Sequence, residues 1–148
     1  MVFVSLRELT DLGLRARSVA ELVALRLALP SRLSRNPLDS LLAELSVQRR
    51  PLRALNRSDV LRTERALAHV PWVASTCLYR ALARYALLRR SGADPTFVMA
   101  VDKRGIVESG HAWVELDGIA FEEPTDVTHY AVTLRFRSAA GDGNMHAP

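Results

Sequence analysis

One thiol, one imidazole and a pair of carboxylates stand in this sequence where they could act together. The single cysteine, Cys77, lies in VASTCLYRALARYALLRR, residues 73–90. Ser75 just ahead of it is a natural N-cap, which places Cys77 in the first turn of a helix. Backbone N–H groups at a helix start are unpaired and carry partial positive charge. A thiolate there is stabilised, so the thiol becomes a better nucleophile near neutral pH. The same N–H groups could receive the oxyanion of a tetrahedral intermediate. A free cysteine can equally be a small buried hydrophobe, so position alone does not decide.

His111 opens HAWVEL directly after Gly110, at the edge of an expected strand beside a loop. An imidazole there could face a cleft and serve as general base toward a thiol. His69, His129 and His146 are the other histidines, and none begins a comparable hairpin with acids. A base histidine needs an acid to fix its tautomer and stabilise the imidazolium. Two candidates follow from the Asp117-Gly118 hairpin signal. A plain two-residue loop pairs Leu116 with Ile119, sets His111 opposite Pro124 and makes Glu122 its diagonal neighbour. A three-residue loop with a bulge at Gly118 pairs Glu115 with Ile119 and sets His111 opposite Glu123. Asp117, at the far turn, is roughly 20 Å from His111 at strand rise and is discounted.

The elements that must carry these groups are helices first and strands second. SVAELVALRLAL has Ser18 as a cap, Glu21 three residues on and a stop at Pro30. LGLRAR ahead of it is a weaker helix containing Gly13. NPLDSLLAELSVQRR places Leu38, Leu41, Leu42 and Leu45 at helical spacing. RSDVLRTERALAHV starts at a Ser58 cap, with Val60, Leu61, Glu64 and Leu67 following, and stops before Pro71. In the cysteine helix Leu78, Ala81, Leu82, Tyr85 and Leu88 form an apolar stripe. Arg80, Arg84 and Arg90 fall mostly off it, and Gly92 is the stop. PTFVMAVD then reads as a buried strand, KRGIVESG as a loop, and HAWVEL and IAFEE as a hairpin. In HYAVTLRFR, Tyr130, Val132, Leu134 and Phe136 fall on one side. The fold class is α+β, a helical N-terminal half followed by an antiparallel sheet. Residues 1–70 form a helical region packing on the core, 71–138 the core carrying the chemistry, and 139–148 a frayed tail.

Several functions are disfavoured. Hydrophobic residues make up 49%, which predicts a core rather than disorder. The longest apolar candidate, VAELVALRLALP, is interrupted by Glu21 and Arg26, so no membrane span is expected. The net charge is +4, but the arginines are spread along helices without a dense block or interleaved aromatics, so nucleic acid is not the expected partner. No CxxC or HExxH spacing, Gly-rich phosphate loop or GxSxG is present, so no metal, cofactor or serine nucleophile is expected. A lone cysteine, with no signal-peptide pattern in MVFVSLRELT, predicts a cytoplasmic protein.

PWVASTCLYRALARYALLRRSG, the strand FVMAV and GHAWVELDG together resemble the transglutaminase-like cysteine peptidases of lasso-peptide biosynthesis. The likeness covers about residues 70–135 and lies in Cys77-Leu78-Tyr79-Arg80-Ala81-Leu82, His111-Ala112-Trp113-Val114-Glu115 and Asp117-Gly118. It implies a papain-like peptidase that removes the leader of a ribosomally made precursor peptide. A macrolactam synthetase then closes the ring. It also implies a Cys–His–acid triad with an Asp twelve residues after the histidine, a position held here by Glu123. That favours Glu123 over Glu122, and the bulged register agrees. Cys77 would attack as thiolate and His111 would protonate the leaving amine. Glu123 would orient His111, and the Cys77 N–H would serve the oxyanion hole. Trp113 reads as core or cleft wall. Nothing in residues 1–70 reads as a β-rich leader-binding module, so a separate leader-recognition protein is expected. The competing expectations are a transglutaminase-type acyl transferase or amidase using the same Cys77 and His111, and a non-catalytic helical adaptor.

Overall fold

The computed structural model describes residues 6–47, 57–103 and 109–138. The expected tail, residues 139–148, lies outside them, as does most of the loop KRGIVESG. Among the described residues four helices precede four strands: α1 (Leu6–Arg35), α2 (Leu38–Ser46), α3 (Arg57–Ala68), α4 (Cys77–Arg90), β1 (Thr96–Asp102), β2 (Gly110–Leu116), β3 (Ile119–Ala120) and β4 (Tyr130–Arg137). The strands form one antiparallel sheet in the order β3-β2-β1-β4. The α+β class expected from the sequence is the one observed.

The two helices expected at the N-terminus, LGLRAR and SVAELVALRLAL, are one. α1 runs through both Ser18, expected as a cap, and Pro30, expected as a stop. Leu22, Arg26 and Leu29 are fully buried, and Leu33 continues the stripe one turn beyond Pro30. Packing along that stripe outweighs the one backbone hydrogen bond a proline removes. Ser58, expected as a cap, lies one residue inside α3.

α4 sits between the other helices and the sheet, and residues 81–89 are all buried. The reading of Arg84 as off the stripe is therefore corrected: a helix covered on every side has no solvent face for a mid-helix arginine. Gly92, at φ +88°, ends the helix as expected. At the centre, the Tyr85 ring meets Phe97 and Phe136 edge-on. Its hydroxyl bonds Ser46 Oγ at 2.7 Å. Burial raises the Tyr85 phenol above its ordinary value. The folded state then holds this proton more tightly than the unfolded chain. The stability involved is complete below the free-phenol range and is lost as pH rises through the folded value. Tyr85→Phe is expected to flatten the alkaline arm of stability above about pH 10. Unfolding midpoints of both proteins across that range would check this, and parallel curves would refute it.

β4 departs from simple alternation. Met99 pairs with Leu134 but Ala100 pairs with Val132, so Thr133 is an extra residue. Its hydroxyl donates to the Met99 carbonyl at 3.2 Å. Leu134 and Phe136 consequently join the core beneath α4, while Tyr130 joins a smaller cluster of Val98, Ala100 and Trp113 on the other sheet face. The expectation that Tyr130, Val132, Leu134 and Phe136 share one side is corrected by this single insertion.

Candidate active site

Thr76, not Ser75, caps α4; its side chain accepts from the Tyr79 N–H at 3.4 Å. Cys77 is thus the first helical residue, partly exposed. The Cys77 and Leu78 amides have no acceptor among the described residues. Because the cap bond is long and exposed, Thr76→Ala is expected to cost only about 0.5–1 kcal/mol. A larger loss in chemical unfolding would mean that Thr76 does more than cap.

The hairpin after β2 is tight. Leu116 pairs with Ile119, and both intervening residues have positive φ: Asp117 at 52° and Gly118 at 78°. This is the two-residue loop, so the bulged register that favoured Glu123 is not adopted. Glu123 reaches His111 by another route. β3 stops at Ala120, the Phe121 N–H still bonds the Val114 carbonyl at 2.7 Å, and Glu122 then turns left-handed at φ 48°. The IAFEE strand is therefore only two residues of ladder. The turn breaks the alternation that would have made Glu122 the neighbour and delivers Glu123 instead.

His111 Nε2 lies 3.2 Å from Glu123 Oε1, with both side chains buried. The Thr125 N–H donates to the same oxygen at 3.2 Å. The imidazole also stacks near Trp113, at 5.9 Å between ring centres, and near Tyr130, at 5.2 Å. Trp113 is core, 3% exposed and packed with Val98 and Ala100, with its N–H given to Glu115. His111 pairs with Ala100 and Trp113 with Val98, so the imidazole lies on the sheet face turned away from α4. The Cys77 thiol is directed instead at the Gly110 carbonyl, 4.0 Å away. The structure thus joins His111 to Glu123 and sets Cys77 beside the residue that precedes His111. No thiol–imidazole hydrogen bond is formed.

Sequence reasoning missed a buried chain of charge behind Glu123. Arg84 Nε and Nη2 grip Glu64, the closest contact being 2.6 Å. Arg84 Nη1 donates to the carbonyls of Phe121 (3.3 Å) and Glu122 (2.9 Å) and lies 3.9 Å from Glu123 Oε2. Arg26 Nη1 is 3.9 Å from Glu64 on its other side, and Arg26 Nη2 donates to the Ala74 carbonyl at 3.0 Å. Burial pushes the Arg26 guanidinium below its ordinary range, with Glu64 opposing. A cleft of about 840 Å³ opens between α3, the start of α4 and the hairpin, with Ser75, Arg80, Glu122 and Glu123 among its walls. Cys77 and His111 are not among those walls. Among the described residues no group of three or more His, Cys, Asp or Glu is placed to hold a metal ion. Nor is any helix there long and apolar enough to cross a membrane.

A helix-capped cysteine packed on an antiparallel sheet, with a His–acid pair at the sheet edge, accords with a family match over residues 19–135, from α1 to β4. The chain belongs to the transglutaminase-like superfamily. No curated protein and no solved structure matches it. Transglutaminase-like domains generally carry cysteine-protease-like chemistry, either hydrolytic or acyl-transferring. The match takes in the helices before Cys77 as well as the sheet after it. The site's support from Arg26 and Glu64 therefore lies inside the transglutaminase-like region.

Proposed function

We propose that this chain is a cysteine peptidase that removes the leader from a lasso-peptide precursor, in the cytoplasm, with a separate leader-recognition protein and before a macrolactam synthetase acts. Residues 71–138 would be the peptidase core and residues 1–70 a helical region packed on it. The observation that carries the reading is the 3.2 Å His111–Glu123 contact formed beside a helix-capped Cys77. With Nε2 directed at Glu123, Nδ1 is the ring atom left for the thiol. Reaction requires Cys77 Sγ to leave the Gly110 carbonyl and meet the imidazole. The proton then passes from sulfur to Nδ1. The thiolate attacks the scissile carbonyl, and the tetrahedral oxyanion is met by the Cys77 N–H. The imidazolium returns the proton to the leaving amine. Water, deprotonated by His111, hydrolyses the thioester and frees Cys77.

Co-incubation with the precursor and the recognition protein, followed by mass measurement, tests this directly. The expected product is a leader with a free carboxylate plus a core peptide with a free amine. An amine-capped acyl product would favour the acyl-transferase alternative, and an unchanged precursor would count against both. Glu123→Gln is expected to slow cleavage by about 10²–10⁴-fold through loss of imidazolium stabilisation. An equal effect from Glu122→Gln, with Glu123→Gln silent, would reassign the acid.

A further inference from the structure

Arg84 lies two turns along α4 from Cys77 and is 5% exposed, a placement that needs a reason because a buried guanidinium is costly unless its donors are used. They are divided between two tasks. Nε and Nη2 form a fork on the Glu64 carboxylate. Nη1 is left for the Phe121 and Glu122 carbonyls, the two peptide units that flank the left-handed residue. A non-glycine residue at positive φ is held there only by its surroundings. The next residue is Glu123. We propose that Arg84 is a positioning residue for the proposed reaction: it fixes the turn that aims Glu123 at His111 and presents its charge to the far oxygen of that carboxylate.

The assignment rests on the peptidase reading, because it matters only if the His111–Glu123 pair acts on Cys77. It goes further in giving a specific task to a residue with no contact to the thiol. Glu64 anchors the guanidinium, and Arg26 closes the line from α1. Lysine is not equivalent here. An ammonium is a point charge and cannot serve the Glu64 fork and both carbonyls at once. The other titratable groups near the imidazole are Tyr130 on β4 and, against its ring, His129 beside Asp102. Arg84→Lys leaves these in place.

The test is alkylation of Cys77 by iodoacetamide from about pH 5 to pH 9, on the full chain, with near-ultraviolet circular dichroism to establish folding. The proteins are the wild type, His111→Ala, Arg84→Lys and Glu64→Gln. Wild type is expected to react near about pH 6.5 faster than a free thiol, with that excess lost in His111→Ala. Folded Arg84→Lys is expected to lose about tenfold to a hundredfold of the rate at that pH while reacting normally near pH 9. A folded Arg84→Lys with the wild-type profile overturns the positioning role and leaves the peptidase reading standing. A wild-type profile unaffected by His111→Ala overturns both. Should Arg84→Lys fail to fold, the near-isosteric Glu64→Gln decides: a folded protein with a wild-type profile overturns the role, and a depressed acid-side rate supports it.

Discussion

Cys77→Ala is expected to abolish precursor cleavage, by at least about 10⁴-fold, with the fold intact. Sulfur is the nucleophile that attacks the scissile carbonyl in the proposed route, and the sequence has no second thiol to replace it. Ser75 borders the neighbouring cleft but precedes the cap, so its hydroxyl does not share the helix-start amides. The structural cost is small because Cys77 is partly exposed and only packed against the rim of the core. Loss of one polarizable atom there is worth about 1 kcal/mol or less. Single-turnover cleavage and a thermal scan on the same sample would check both halves. Residual cleavage within about tenfold of wild type would remove Cys77 from the mechanism.

The largest stability effect is expected at Glu64. Its carboxylate lies between Arg26 and Arg84, and its side chain is 5% exposed. Glu64→Ala would leave two buried guanidiniums sharing a site with only the more distant Glu123 as counter-charge. Removing one partner of a buried ionic group costs about 3–5 kcal/mol. That is a large part of the roughly 5–15 kcal/mol by which a domain is stable. In urea the midpoint should fall by about 2 M, given a slope of about 2 kcal/mol per molar. A shift below about 0.5 M would mean that the guanidiniums find other partners. Glu64→Leu should be no better, because the uncompensated positive charge, not the lost volume, dominates.

The sequence carried the site's members more clearly than their geometry. A cysteine after a cap residue and a histidine opening a strand are local patterns, and both residues are where those patterns put them. The resemblance points to Glu123, but the bulged hairpin that would set it opposite His111 is not formed. The deciding feature is a left-handed glutamate, which no local pattern signals because Glu rarely adopts that conformation. The charged chain was missed for a different reason. Arg26 falls between Leu22 and Leu29, Glu64 between Val60 and Leu67, and Arg84 between Ala81 and Leu88, each on its helix's apolar stripe. A lone charge on such a stripe usually reads as an interruption. Three helices each bearing one, with signs plus, minus and plus, is the signal that could have been read, but only by assuming the helices meet. Similarly, Pro30 and Ser18 read as helix ends because local propensity cannot register the burial that carries α1 past them.

The extra residue at Thr133 has a consequence for how the molecule meets copies of itself. Among the described residues β4 has a neighbour on one flank only, and an eight-residue open margin is a template on which another chain's backbone could be recruited. Thr133 sets a local kink in that margin, and Arg135 and Arg137 are tethered beside it to Glu115 and Asp94. Together they spoil the straight, uncharged rim that fibrous stacking requires.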